Sequence, residues 1–260
     1  MRDLTNDALM MDQTTMAYIN LYAIFGAIPK LCMLDASARE LIEKKKIKLG
    51  FKVNGGPEAS LLFDNGKCTF LEGTDGCDIL LPFKSPEKFN GMINGTVTPF
   101  PSKGITKIKF LLGEFTKLTD ILTKYLRASE EDLQDKAFFE TSTRLMLSVI
   151  AGAAAQIGNH DKVGKHSASY IVDGIVKLSI KDLDAAYVSS KDHFLSVVNE
   201  EPKSVMARME FEDMYVARDL FDGKVNAAVC VGMGLVRIGG MISMVDNINR
   251  MLDRVSVYLA

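Results

Sequence analysis

Tryptophan is absent from the 260 residues, and histidine and cysteine are scarce, at three and four residues. No two of Cys32, Cys68, Cys77 and Cys230 stand at C-x-x-C spacing, so neither a zinc site nor a dithiol redox pair is spelled out. The four are expected to be reduced thiols packed as small apolar groups. His160 and His166 lie six apart in a polar stretch, His193 stands alone, and no acidic cluster joins them; all three read as surface histidines and no metal is implied. An excess of charge of either sign is also missing. The chain carries 31 Lys plus Arg against 33 Asp plus Glu, a formal net charge of −2. This argues against nucleic acid as the main partner, since a phosphate backbone calls for a concentrated basic face.

Long hydrophobic runs are lacking as well. The longest, Leu145 to Ile157, covers 13 residues, too few to span a bilayer, so no transmembrane segment is expected. Ala227 to Val245 is broken by Arg237 and rich in glycine, and reads as strands and turns. Met1 to Asp12 holds Asp3, Asp7 and Asp12 beside a single Arg2, without the basic start and apolar run of a secretory signal. Val257 to Ala260 carries no targeting or prenylation motif. The expected location is cytoplasmic, which makes the sequon Asn94-Gly95-Thr96 a turn and no glycosylation site.

What is present is pattern. Residues 1–46 read as helical, with Met16, Ile19, Ala23 and Ile24 near one face. Asp35 or Ser37 can cap a helix running through Leu41 and Ile42 into Lys44-Lys45-Lys46, where lysines oppose the helix dipole. From Lys48 the period becomes two, and Asp64-Asn65-Gly66 between alternating runs signals a hairpin. A further strand, Asp78 to Phe83, leads to a short helix, Glu87 to Ile93, with Ser85 as cap and Pro86 at the first position. A strand is expected over Ile105 to Leu112, then an amphipathic helix through Phe115, Leu118, Ile121, Leu122 and Tyr125. Ser129-Glu130-Glu131-Asp132 starts a long buried helix, and Asn159 to Ser169 reads as a loop.

The order then recurs. Phe83 to Gly95 corresponds to Phe211 to Gly223 at a shift of 128. Gly104 to Ile108 corresponds to Gly234 to Ile238 at a shift of 130. Leu118, Asp120, Tyr125 and Leu126 fall on Met251, Asp253, Tyr258 and Leu259 at a shift of 133. Strands at Gly174–Ile180, Asp184–Ser189, Phe194–Val198 and Val205–Phe211 parallel those of the first half. Each half reads helix, four strands, short helix, two strands, helix.

These blocks carry a resemblance. Leu62-Phe63-Asp64-Asn65-Gly66-Lys67-Cys68 with Leu71-Glu72-Gly73, and Pro86 to Phe89 with Met92 to Gly95, resemble the central hairpin and short helix of the sterol carrier protein type two family. Phe211 to Asp213, Leu220 to Lys224, Gly234 to Gly240 and Asp246 to Ile248 resemble its later elements. The resemblance covers about residues 38–126 and 160–260, in tandem, where the family usually has one copy and often a Trp. It implies an α+β fold of two similar halves, each a mixed, mainly antiparallel sheet with helices on one face around a hydrophobic cavity. The division is then an N-terminal helical segment (1–37), a first half (38–126), a connecting helix (127–159) and a second half (160–260). It also implies non-enzymatic binding or transfer of a sterol, fatty acid or acyl-CoA, with no catalytic residue and no cofactor.

The expected ligand-lining residues are Phe83, Phe89, Met92, Phe110, Leu112, Phe115, Leu118 and Leu122 in the first half. In the second they are Phe211, Leu220, Phe221, Met241, Met244, Ile248, Met251 and Leu252. Seven of the 14 methionines fall between Met206 and Met251, and such unbranched side chains can re-pack around guests of different shape. If one cavity alone is open, it is expected there. Lys84, Lys88, Arg218 and Lys224 are candidate residues at a cavity mouth. Gly232 to Gly240 fits neither the dinucleotide fingerprint nor a phosphate loop, and no Ser sits in a nucleophile elbow. Two other classes stay open: a structural or protein-interaction module with a filled core, and an enzyme acting on acyl or sterol substrates. Transient membrane contact and a homodimer are also left open.

Overall fold

The computed structural model describes residues 11–259; the acidic stretch before Met11 and the terminal Ala260 lie outside it. The chain divides into two compact units, one of residues 16–145, the other of residues 146–259 with 11–15. Each is α+β with one mixed sheet.

The first unit opens with α1 (Gln13–Leu34). By length and composition α1 could cross a membrane, but 56% of its apolar window is buried. Its inward residues, Ile19, Leu21, Phe25, Ile28 and Leu31, belong to the core. A π-turn at Ile19–Ile24 and a 3-10 turn at Phe25–Ala27 adjust the face it presents. Next come α2 (Ala36–Ile42), β1 (Lys46–Val53), β2 (Glu58–Asp64), β3 (Lys67–Glu72), β4 (Ile79–Phe83) and α3 (Pro86–Ile93). The strand order is β3-β2-β1-β4, antiparallel except for the parallel β1–β4 pair. The Asn65-Gly66 hairpin forms as expected, and α3 stops at Asn94, followed by Gly95 with φ 71°.

The second unit repeats this plan. The later part of α5 (Lys136–His160) leads into α6 (Lys162–Ala168), then β5 (Gly174–Ile180), β6 (Asp184–Lys191), β7 (Phe194–Val198), β8 (Ala207–Phe211) and α7 (Met214–Phe221). The order β7-β6-β5-β8 has the same pairing, antiparallel but for β5–β8. The helices α3 and α7 sit at the shift of 128 read from the sequence.

The two units part after the short helix. In the second, α8 (Ala227–Gly232) precedes β9 (Val236–Gly240), which adds a fifth, antiparallel strand beside β8. In the first, no strand forms over Ile105 to Leu112. A 3-10 turn (Ile105–Lys107), an α-turn (Ile108–Phe110) and a π-turn (Leu111–Phe115) run into α4 (Thr116–Leu126). Two features deny the fifth strand. Pro99 and Pro101 lack the N–H a ladder needs, so β4 gains one bridge, Leu80 to Lys103. Gly104, at φ 82°, then turns the chain where a Cβ would stand 2.3 Å from the Asp78 carbonyl. The helical signal was present: Ile108, Leu111, Phe115, Leu118 and Leu122 recur at helical spacing, and the last four are buried.

Other expectations are corrected. Ala227 to Val245 holds one strand between two helices, α9 (Ile242–Leu259) starting after Met241. Asn159 to Ser169 is no loop: α5 extends to His160 and α6 follows at once. Gly164 permits this turn, since a Cβ there would stand 2.1 Å from the Ile157 carbonyl. The helix α5 begins at Lys136 behind Asp135, while Ser129 and Asp132 bond each other before a 3-10 turn. Ser85 makes no capping bond. Asp35, not Ser37, caps α2, and Lys44 to Lys46 lie beyond its end, with Lys45 paired to Glu114 at 2.5 Å. The four cysteines are free and buried, as expected.

One tertiary contact recurs at corresponding places. Tyr125 on α4 donates to Asp35 Oδ2 at 2.7 Å, and Asp35 Oδ1 accepts the Ala38 N–H. Tyr258 on α9 donates to Asp161 Oδ2 at 2.7 Å, and Asp161 Oδ1 accepts from the Val163 and Gly164 amides. Each tyrosine thus ties the last helix of its unit to the N-cap of the short helix near its start. In the second unit Arg254 adds a bond to Asp161 Oδ2, also at 2.7 Å. Burial alone would raise the Asp161 pKa, but the bonds from Arg254, Gly164 and Tyr258 outweigh it and hold the carboxyl below its ordinary value. Asp35 is lowered in the same way, burial being outweighed by bonds from Ser37, Ala38 and Tyr125.

The core of the first unit is aromatic. Phe25, Phe51, Phe63, Phe83, Phe89, Phe110 and Phe115 form one connected set of rings, with centroids 5.0–6.5 Å apart. In the second unit the buried core is mainly aliphatic, with Leu178, Ile180, Val188 and Ile248 beside the buried methionines Met209, Met214, Met244 and Met251, and Phe211 against Phe221 at 5.5 Å.

Three outcomes are expected. Tyr258→Phe should lose about 1.5–3 kcal/mol of unfolding free energy, the range for a hydrogen bond to a charged group, read from urea denaturation at pH 7. Because the folded pKa of Asp161 lies below its unfolded value, its stabilisation is present above about pH 4 and is lost as pH falls through the lowered value. Urea midpoints of Asp161→Asn should therefore vary less between pH 5 and pH 2.5 than those of the parent. Phe89→Ala, at a fully buried ring that meets Phe25, Phe51 and Phe83, should cost about 3–5 kcal/mol. A loss below about 1 kcal/mol would show that these rings are not close-packed.

Candidate functional site

The sheet of the second unit separates two chemistries by strand alternation. On β8, Ala207, Met209 and Phe211 are buried, while Arg208 and Glu210 face the other way. On β9 the partners of the buried row are Gly240, Ile238 and Val236. The opposite face carries ion pairs, with Arg237 reaching Glu212 at 2.7 Å and Glu210 at 3.8 Å. The inner row carries no titratable side chain.

This row is not closed at its edge. Val236 is buried, but Ile238, opposite the buried Met209, is 36% exposed, because β9 is the outermost strand. The chain turns at Met241, whose N–H donates to the Met206 carbonyl at 2.9 Å and whose side chain is 37% exposed. The helix α9 continues the row inward through Met244, Ile248 and Met251, all buried. Beside β9, α8 is anchored by the buried Cys230, whose carbonyl accepts the Leu235 N–H. Its remaining apolar side chains point outward: Val229 and Val231 are exposed, as is Met233 just past its end, at 69%. Exposed apolar side chains at Met233, Ile238, Met241 and Ile242 thus stand on or next to the elements that carry the buried Met209, Met244 and Met251.

Of the residues expected to line a cavity here, Phe211, Met244, Ile248 and Met251 are buried; Leu220, Phe221 and Leu252 are half-buried; Met241 is exposed at the rim. Sequence reasoning missed Met209, Ile238 and Ile242. Their signals were the alternation Val236-x-Ile238 and the apolar residue after Met241, and only the β8–β9 register puts Ile238 beside Met209.

In the first unit Phe83, Phe89, Phe110, Phe115, Leu118 and Leu122 are buried and Met92 is half-buried. The phenylalanines among them touch one another's rings. Leu112 is 73% exposed and lies outside this group. In a strand it would share a face with Phe110; in the π-turn that forms instead it points outward. Arg218 is not a mouth residue: it is buried and bonds Asp222 at 2.9 Å. Lys84, Lys88 and Lys224 are exposed, and Lys224 is 3.6 Å from Asp222.

His166 and His193 are exposed as expected, whereas His160 is half-buried. Burial, then the nearby charge of Lys165, pushes its pKa down to about 4. Among the described residues no group of three or more His, Cys, Asp or Glu is placed to hold a metal ion.

The sequence matches no family model and no curated protein. Among solved structures, 40% of the chain is similar to 93% of a UbiJ-SCP2 ubiquinone synthesis protein, at 16% identity and a TM-score of 0.32. Similarly, 39% of the chain covers 92% of apo sterol carrier protein 2 from Yarrowia lipolytica, at 18% identity and a TM-score of 0.29. A sterol carrier protein domain 2 of Helicoverpa armigera is covered over 88% of its length by 44% of the chain, at 12% identity and a TM-score of 0.30. Each of these likenesses spans less than half of the 260 residues.

Proposed function

We propose that the second unit binds an apolar lipid-type guest, without catalysing a reaction on it, along the strip formed by β8, β9 and α9. The observation that carries this reading is the exposure of Ile238 and Met241. Ile238 belongs to the inner, apolar row of the sheet and Met241 follows directly on the end of β9; both reach solvent, beside the buried Met209 and the buried Met244 of the next helix. Apolar surface withdrawn from water there is worth roughly 25 cal/mol per Å², so a guest needs no charged partner for affinity. The thioethers of Met209, Met244 and Met251 can shift between rotamers to admit it. Sterols, fatty acids and acyl chains of thioesters are the guest classes that fit a row without titratable groups.

The first unit supports the other reading made from the sequence, a filled core. Its corresponding interior is taken up by phenylalanine rings in mutual contact. On this proposal one unit binds and the other is a packed structural counterpart.

Organic extraction of the purified protein followed by mass spectrometry should release a lipid, and the stripped protein should take up a fluorescent fatty acid. Ile238→Asp, at a half-open position, should fold and weaken uptake by about tenfold or more, because a carboxylate would be desolvated by the guest. Phe110→Met, in the filled unit, should leave uptake unchanged. A protein that carries no lipid and takes up none would refute the proposal.

A further inference from the structure

The second unit contains a cleft of about 440 Å³ lined by Asp12, His160, Asp161, Lys162, Val163, Lys165 and Arg254. It stands at the Tyr258–Asp161 contact, and the first unit shows which of its residues that contact requires. There the same tyrosine–aspartate bond and the same helix cap form at Tyr125 and Asp35. The position matching Arg254 is Ile121, and those matching His160, Lys162 and Val163 are Leu34, Ala36 and Ser37; only Arg39, matching Lys165, keeps a charge. Arg254, His160 and Lys162 thus stand where the first unit has apolar residues, and they line one cleft.

The two carboxylates of the cleft are already committed. Asp161 has 4% of its side chain exposed and accepts from two amides through one oxygen and from Arg254 and Tyr258 through the other. Asp12 Oδ2 accepts from the Thr15 amide and hydroxyl at 2.7 and 2.6 Å. Lys162 and Lys165 are exposed; beyond burial, the Lys165 charge disfavours protonation of His160 and the Asp12 charge favours it. We propose that this cleft is a binding site for a small oxyanion, a phosphate or carboxylate group, held by Arg254, Lys162 and Lys165 with His160 in its wall. Three cations against two carboxylates leave a net positive, partly desolvated pocket, where charge-assisted bonds to an oxyanion are strongest. The site is separate from the apolar strip and does not depend on the lipid reading.

The test uses the full chain and the imidazole proton resonance of His160, assigned by its loss in His160→Gln. Inorganic phosphate is titrated in one arm and monodecyl phosphate in the other. A bound anion favours the protonated ring, so the His160 signal should shift saturably and its titration midpoint should rise above about 4, with His166 and His193 unmoved. Lys162→Ala with Lys165→Ala, both at exposed positions, should weaken binding roughly tenfold, the effect of removing two exposed ion pairs. Saturation by inorganic phosphate identifies a free-anion site; saturation by the decyl ester alone identifies a lipid headgroup site, and either supports the proposal. No saturable shift in either arm, or unchanged affinity in the double variant, overturns it.

Discussion

A phenol bonded to the aspartate that caps a short helix holds each half of this protein closed. The bond joins the last helix of the unit to the short helix that precedes its sheet, between residues 90 apart in the first unit and 97 apart in the second. It consumes a carboxylate already committed to a cap, so one acid orients two helices. Because the acid is partly desolvated, the bond is stronger than a surface pair, and removing the phenol leaves an acceptor that water reaches poorly. Between the two anchors lie all the strands of the unit's sheet, four in the first unit and five in the second.

Within that common frame the halves solve the interior differently. The first brings seven phenylalanine rings together, each large and stiff, in tilted and edge-on contacts. The second uses methionine, which fills irregular space and re-packs at low cost. The outer edges differ to match. Prolines and a helical run end the first sheet at β4, whereas β9 extends the second and leaves its own inner row partly open.

Legibility followed the range of the interactions involved. The hairpin at Asn65-Gly66, the helix opened by Pro86 and the strands of both sheets depend on turn chemistry and period-two alternation, and they stand where the sequence places them. The stretch Ile105 to Leu112 was misread because a short apolar run with β-branched residues satisfies both periods. Asp161 was passed over within a polar stretch, although Asp before Lys-Val-Gly is a cap signal, because glycine at position 164 suggested a loop. Ile238 was missed for another reason: its neighbour Met209 is 29 residues away and is set by strand register.

Composition and pattern by themselves determined the α+β class, the two similar halves, the burial of the cysteines and most of the core, since these rest on local propensity and on the side a residue faces within its own element. The tertiary structure decided which unit gathers seven phenylalanine rings and which ends on a half-exposed edge strand, that two distant tyrosines close the two units alike, and that three basic groups and a histidine line one cleft beside one of those closures. Such facts depend on residues far apart in the chain arriving at one place, and no window of sequence contains both partners.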